Sequence, residues 1–122
     1  MQLTQDSTTE VNLIRSYGVG ELWIAERRFT APCLVGRQLL DAELLPPSLD
    51  QLTPDHVSAV IELKPEMVIT GTRTDERFPS SAIRRLFSAA GLALEPMEFG
   101  AACRTYNVLV QDGRAPIALL FP

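Results

Sequence analysis

Lysine and histidine are nearly missing from this 122-residue chain, which has one of each, Lys64 and His56. Nonspecific affinity for nucleic acids comes from clustered Lys and Arg, and the formal charge of −4 with a pI near 4.9 runs against it. No nucleic-acid partner is expected. Ten of the 11 basic residues are Arg. That bias suits bidentate recognition of anions, but genomic base composition explains it more simply.

Cysteine is scarce too. Cys33 and Cys103 lack metal-ligand spacing and are too few for a disulfide framework, so both are expected as reduced thiols, with no metal or other cofactor. No apolar run approaches the roughly 20 residues a spanning helix needs, so no transmembrane segment is expected. Residues 1–10 are polar and no positive charge precedes Arg15. They match neither a secretory signal nor an Arg-rich transit peptide, and suggest a disordered leader on a cytoplasmic protein.

What is present suits an ordinary globular domain. Hydrophobic residues make up 46% and charged residues 21%, and a chain of this length buries about two-thirds of the surface its unfolded form exposes. Residues 11–122 are therefore expected to form a single domain.

Alternation at Val11 and Leu13, turn chemistry at Tyr17-Gly18-Val19-Gly20, and the apolar residues Leu22, Trp23, Ile24 and Phe29 predict a β-hairpin. A short strand follows over Cys33 to Val35, ending at Gly36. From Gly36 to Leu52 neither period is clean, and Pro46 and Pro47 argue against a central strand. Thr53-Pro54-Asp55 then opens a helix: Thr53 caps, Pro54 loses nothing at the first helical position, and Asp55 suits the dipole. Leu52 and Val57 occupy the positions of a hydrophobic staple. Val57, Val60 and Ile61 form the buried stripe, and Pro65 stops the helix by Lys64.

Met67 to Thr70 is β-rich on both faces, as in a fully buried strand, and is expected to end at Gly71. A loop from Thr72 to Phe78 leads to a helix over about Pro79 to Ala90, with Ala82, Ile83, Leu86, Phe87 and Ala90 in register and Gly91 as its stop. Leu92, Leu94 and Met97 mark another strand, placed at an edge by Pro96. The last third has two readings. By period, Thr105 to Val110 and Ala115 to Phe121 form a hairpin around Asp112-Gly113. The alternative is a helix from about Gly100 to Gln111, stopped by Gly113, although Thr105, Asn107, Val108 and Val110 all lower helix propensity.

Within Gly100 to Val108, two alanines and a cysteine permit close backbone approach, and Arg104, Thr105, Tyr106 and Asn107 then crowd four hydrogen-bonding side chains together. The run Gly-Ala-Ala-Cys-Arg-Thr-Tyr-Asn-Val-Leu-Val-Gln-Asp-Gly-Arg, Gly100 to Arg114, resembles the signature of a small-domain family of unknown function that includes mitochondrial complex I (NADH:ubiquinone oxidoreductase) assembly factor 3. Tyr17-Gly18, Ile69-Thr70-Gly71-Thr72, Arg77-Phe78-Pro79 and Met97 match in the same order. The chain departs from the pattern at Arg73, where relatives often have a glycine, and at Phe99, where a threonine is common.

The resemblance implies an α/β domain of three layers with a mixed central β-sheet, an N-terminal β-hairpin, about three helices and a helical signature segment. On that ground the hairpin reading of the last third is set aside. The helix start at Gly100 is then expected to present the N–H groups of Ala101, Ala102 and Cys103 without a strong side-chain cap, as an anion or carboxylate site. The candidate ligand crevice comprises Gly71, Thr72, Arg73 and Arg77 from the first loop, with Gly100, Ala101, Ala102, Cys103, Arg104, Thr105, Tyr106 and Asn107 from the helix. Both elements follow strands, where α/β sheets tend to bind ligands. The competing reading is structural: Gly71 permits a tight turn, Arg77 pairs with Asp75 or Glu76, and Arg104, Tyr106 and Asn107 pin the helix.

Cys103 beside Arg104 near a helix start suggests a nucleophile of lowered pKa, but no base supports it, since His56 lies on another helix and is expected to face solvent. Asp41, Glu43, Asp75 and Glu76 fall in charged loops, and no metal-ligand cluster, phosphate loop or nucleophile triad can be picked out. The expected function is a non-catalytic binding or assembly module whose partner is a protein, with a bacterial respiratory or other membrane-associated complex implied by the resemblance. The alternative is a small-molecule binder or enzyme using the crevice.

Overall fold

Three short antiparallel strands begin the computed structural model, which describes residues 10–73 and 78–122: β1 (Ile14–Gly18), β2 (Glu21–Ile24) and β3 (Arg27–Phe29). The expected hairpin is thus a three-stranded sheet of order β1-β2-β3, the third strand arising at Arg27–Phe29. Next come β4 (Cys33–Gly36), β5 (Leu39–Asp41), a 3₁₀ turn at Leu49–Gln51, and helix α1 (Pro54–Glu62). The rest alternates: β6 (Met67–Thr72), α2 (Ser81–Ala89), β7 (Ala93–Glu98), α3 (Phe99–Gln111) and β8 (Pro116–Phe121).

The main sheet is mixed, in the order β5-β4-β8-β6-β7, with β6 parallel to both neighbours and β4 antiparallel to both of its own. β8 is buried at all six positions, as its central place requires, and Pro96 sits in β7 at the edge, where a missing N–H is tolerated. Alternation divides the core. Cys33, Val35, Ile69, Ala118 and Leu120 pack with α3 and the small sheet, while Leu34, Val68, Ile117, Leu119 and Phe121 pack with α1 and α2. The domain therefore has three layers. The reading of residues 1–9 as a leader lies outside the described residues.

α1 starts as expected, with Thr53 accepting from the His56 N–H and Pro54 in the first turn. α2 is shorter than expected. Ser80 caps it through the Ile83 N–H, and only Ile83 and Phe87 are buried, while Ala82, Leu86 and Ala90 face solvent. As an outer-layer helix α2 is covered from one side only, so its apolar shoulder is left exposed.

The last third is a helix followed by a strand, and Asp112-Gly113 ends the helix, with Gly113 at φ 84°. Packing overrides local preference here. Phe99, Ala102, Cys103, Tyr106 and Val110 recur at helical spacing and are all buried. Burying a large apolar side chain is worth about 1.5–3 kcal/mol, against at most about 0.7 kcal/mol of propensity lost at each unfavourable residue.

β6 does not end at Gly71 but continues through it to Thr72. Gly71 is a site of close approach rather than a turn. A Cβ there would lie 2.5 Å from Ala102 Cβ, 3.2 Å from Leu120 Cδ2 and 3.4 Å from Phe99 Cα. The first distance cannot be met without moving α3 off the sheet, so the small residues of the signature serve helix–sheet contact. Gly71→Ala is expected to destabilise the fold by about 1–3 kcal/mol in urea denaturation. An unchanged midpoint would show that α3 does not rest on β6 at this point.

Candidate functional site at the start of helix α3

Gly100 stands where β7 passes into α3, and its surroundings are crowded. A Cβ on it would lie 3.0 Å from Tyr17 Cε1 and 3.2 Å from both Arg104 Nη1 and Glu98 Oε1. Arg104 Nη1 donates to the Tyr17 hydroxyl at 2.5 Å. The Tyr17 ring meets Phe99 edge-on, with centroids 6.1 Å apart. From the end of β6, the Arg73 guanidinium lies 4.7 Å above the Phe99 ring and donates to the Gly18 carbonyl. Phe99 thus provides an aromatic face for a cation.

The expectation of an uncapped helix start is corrected. Glu98 is the N-cap, and its Oε1 accepts from the Ala101 N–H at 3.2 Å. The N–H groups of Gly100 and Ala101, with the charges of Arg73 and Arg104 behind them, hold its carboxyl below the usual carboxylate range. The anion-binding end of the helix is engaged by a carboxylate of the chain itself.

Two further polar side chains of the signature, Tyr106 and Asn107, reach the N-terminal segment at and just before β1. The buried Tyr106 donates its hydroxyl to the Asn12 carbonyl at 2.7 Å. Asn107 Oδ1 accepts from the Ile14 N–H and Asn107 Nδ2 donates to the Ile14 carbonyl, both at 2.9 Å. A side-chain amide thereby supplies to β1, an edge strand, the donor and acceptor that another strand would give.

Cys103 is not an activated thiol. It is buried, and desolvation pushes its pKa up to about 12 despite Arg73 and Arg104 nearby. Cys33 is likewise buried and raised to about 12, chiefly by desolvation.

Thr72 is buried opposite Glu98 in the β6–β7 register, Ala102 fills the space at Gly71, and Thr105 is half-buried. Arg77, Asp75 and Glu76 lie outside the described residues. Asp41 organises a turn, accepting from the N–H groups of Glu43 and Leu44 at 2.8 and 3.0 Å, and Glu43 is exposed. His56 does not simply face solvent. Its Nδ1 accepts from the Thr53 N–H at 2.9 Å and completes a capping box. Among the described residues, no three or more His, Cys, Asp or Glu side chains form a group able to hold a metal.

Sequence reasoning missed Glu98, Tyr17 and Asn12 as partners. Glutamate is not among the preferred N-cap residues, and the other two lie about 90 positions away from the helix that they serve. Tyr17 did carry a signal as part of the matched Tyr17-Gly18.

Residues 14–121 match a family described as "Protein of unknown function (DUF498/DUF598)". Among solved structures, the protein XCC1710 of Xanthomonas campestris is similar, at a TM-score of 0.81 and 30% identity over 99% of this chain and 93% of the other. A structure called an outer membrane protein from Bartonella henselae aligns at 0.75 and 26%, covering 92% and 95%. The "13 kDa major membrane protein" of Francisella tularensis subsp. holarctica (strain LVS) is 22% identical over 115 residues, 93% of this chain and 94% of that protein.

Removing the Asn107 amide leaves both backbone groups of Ile14 without that partner. Asn107→Ala is expected to lower stability by about 2 kcal/mol in urea, whereas Val108→Ala, at an exposed neighbour, should stay within about 0.5 kcal/mol. Equal, small effects would contradict the assigned role of Asn107.

Proposed function

Because the chain belongs to the family of unknown function that its residues 14–121 match, we propose that it is a non-catalytic binding or assembly module that holds a partner protein. One observation carries this proposal. Arg104, Tyr106 and Asn107, the most chemically equipped side chains of the signature, all hydrogen-bond within the chain. Together with the raised thiol of Cys103, that favours a scaffold over a reaction site.

The partner surface lies elsewhere. Around α2, Phe78 is 65% exposed and Leu86 38% exposed, and the exposed Arg84 and Arg85 form no ion pair among the described residues. Apolar anchors flanked by arginines suit a protein interface. The partner we infer is a bacterial respiratory or other membrane-associated complex, approached from the cytoplasmic side. Support comes from the resemblance to the complex I assembly factor family and from relatives named as membrane proteins. No helix among the described residues is long and apolar enough to cross a membrane, and attachment to the complex at its periphery accommodates both facts.

A second reading keeps the crevice at Arg73, Gly100 and Arg104 as a ligand site. The specific observation in its favour is that this helix start already holds a carboxylate, that of Glu98. An external carboxylate or phosphate would have to displace it.

Crosslinking in lysate separates the two. The wild-type chain is expected to give a discrete protein adduct, weakened about tenfold or more in a Phe78→Ser, Leu86→Ser double variant that still folds. No adduct, together with a metabolite retained in native mass spectrometry and lost in Arg104→Ala, would overturn the first reading in favour of the second.

A further inference from the structure

The other end of the main sheet holds a cleft of about 370 Å³ between the β4–β5 turn, the end of α1 and the start of β8. Such a volume lies at the small end of the range for ligand sites. Leu39, Leu63, Pro116 and Ile117 form its apolar walls, and Arg37 and Lys64 also line it. Leu39 and Leu63 are each 39% exposed, so two large apolar side chains border this cleft without full cover.

The charge here runs opposite to that of the whole chain. Arg37 is fixed in place, its Nη1 donating to the Val110 and Arg114 carbonyls at 2.8 and 2.9 Å. Glu66, the carboxylate beside Ala115, is already engaged by the Ala115 N–H at 2.7 Å and by Arg114 Nε at 3.2 Å. Lys64 has no ion pair among the described residues, and Glu62 on the same segment does not supply one. In a protein of net charge −4, the sole lysine thus stands at an apolar cleft without an ion pair among the described residues.

The backbone at Lys64 adds an independent sign. Its φ is 55°, in the left-handed region, just before Pro65. Glycine takes this conformation freely at the end of a helix, whereas a side chain there is strained. Strain retained on a residue that lines a cleft, where glycine would relieve it, suggests that the side chain has a use.

We propose that this cleft binds a small amphiphilic carboxylate, its hydrocarbon body against Leu39, Leu63, Pro116 and Ile117 and its carboxylate against the Lys64 ammonium. The site is at the opposite end of the sheet from the start of α3, and it stands whether or not the α2 face holds a protein.

Octanoate is the probe, with 1-octanol and octylamine as matched controls, titrated into the full chain while the methyl resonances of Leu39, Leu63 and Ile117 are followed by NMR. Octanoate should give saturable shifts at millimolar concentration and bind about tenfold or more tightly than either control, the margin of a charge-assisted hydrogen bond. Lys64→Gly should keep or raise Tm, which shows an intact fold, while losing about that same tenfold of octanoate affinity. The absence of saturable shifts, equal binding of octanol and octanoate, or unchanged affinity in Lys64→Gly would each overturn the proposal.

Discussion

Asn107 gives its amide to both backbone groups of Ile14, and the arrangement on one side of the main sheet depends on that two-way bond. The small sheet β1-β2-β3 has its own buried residues, Ile14, Leu22, Ile24 and Phe29, which share a core with α3. So small a sheet depends on packing its apolar face. Hydrophobic contact with α3 supplies the driving force, but it has no direction, and the Asn107 amide fixes where β1 sits along the helix. Tyr106 does the same at Asn12, and Arg104 at Tyr17. Three polar side chains within about one turn of a single helix set the register of a separate sheet.

Behind this clamp is a steric condition. α3 reaches β6 closely because Gly71 has no side chain and Ala102 a minimal one. The same closeness places Phe99 under Arg73 and Glu98 over the helix start. Charge at this end is therefore largely internal, one carboxylate among backbone N–H groups and two guanidiniums, and the cysteine beneath is buried and protonated. A cluster that has the composition of an active site is largely consumed in holding elements together. Large apolar side chains are left exposed instead around α2, at Phe78 and Leu86.

Much of the architecture was legible because each signal had one dominant cause. Thr53-Pro54 marks a helix start by stereochemistry, Pro96 marks an edge by its missing N–H, and Ala115 to Phe121 reads as a strand by its apolar run. Other features follow from contacts that no local pattern encodes. Gly71 resembled a turn, since its true neighbour, Ala102, lies 31 residues on. Val108 and Val110 suited a strand until burial on a helix face was counted, and that helix was inferred from the resemblance rather than from propensity. Glu98 was invisible as a cap because glutamate seldom serves as one, and the exposure of Leu86 depends on which layer ends where.

The account is tested most directly by native-state hydrogen exchange followed residue by residue. If the clamp joins the small sheet to α3, the Ile14 amide opens with the same free energy as the core amides of α3, such as Tyr106 and Val110. If Ile14 instead exchanges as a frayed edge, at far lower free energy than α3, the signature side chains do not hold the two elements together, and the structural role assigned to them is contradicted.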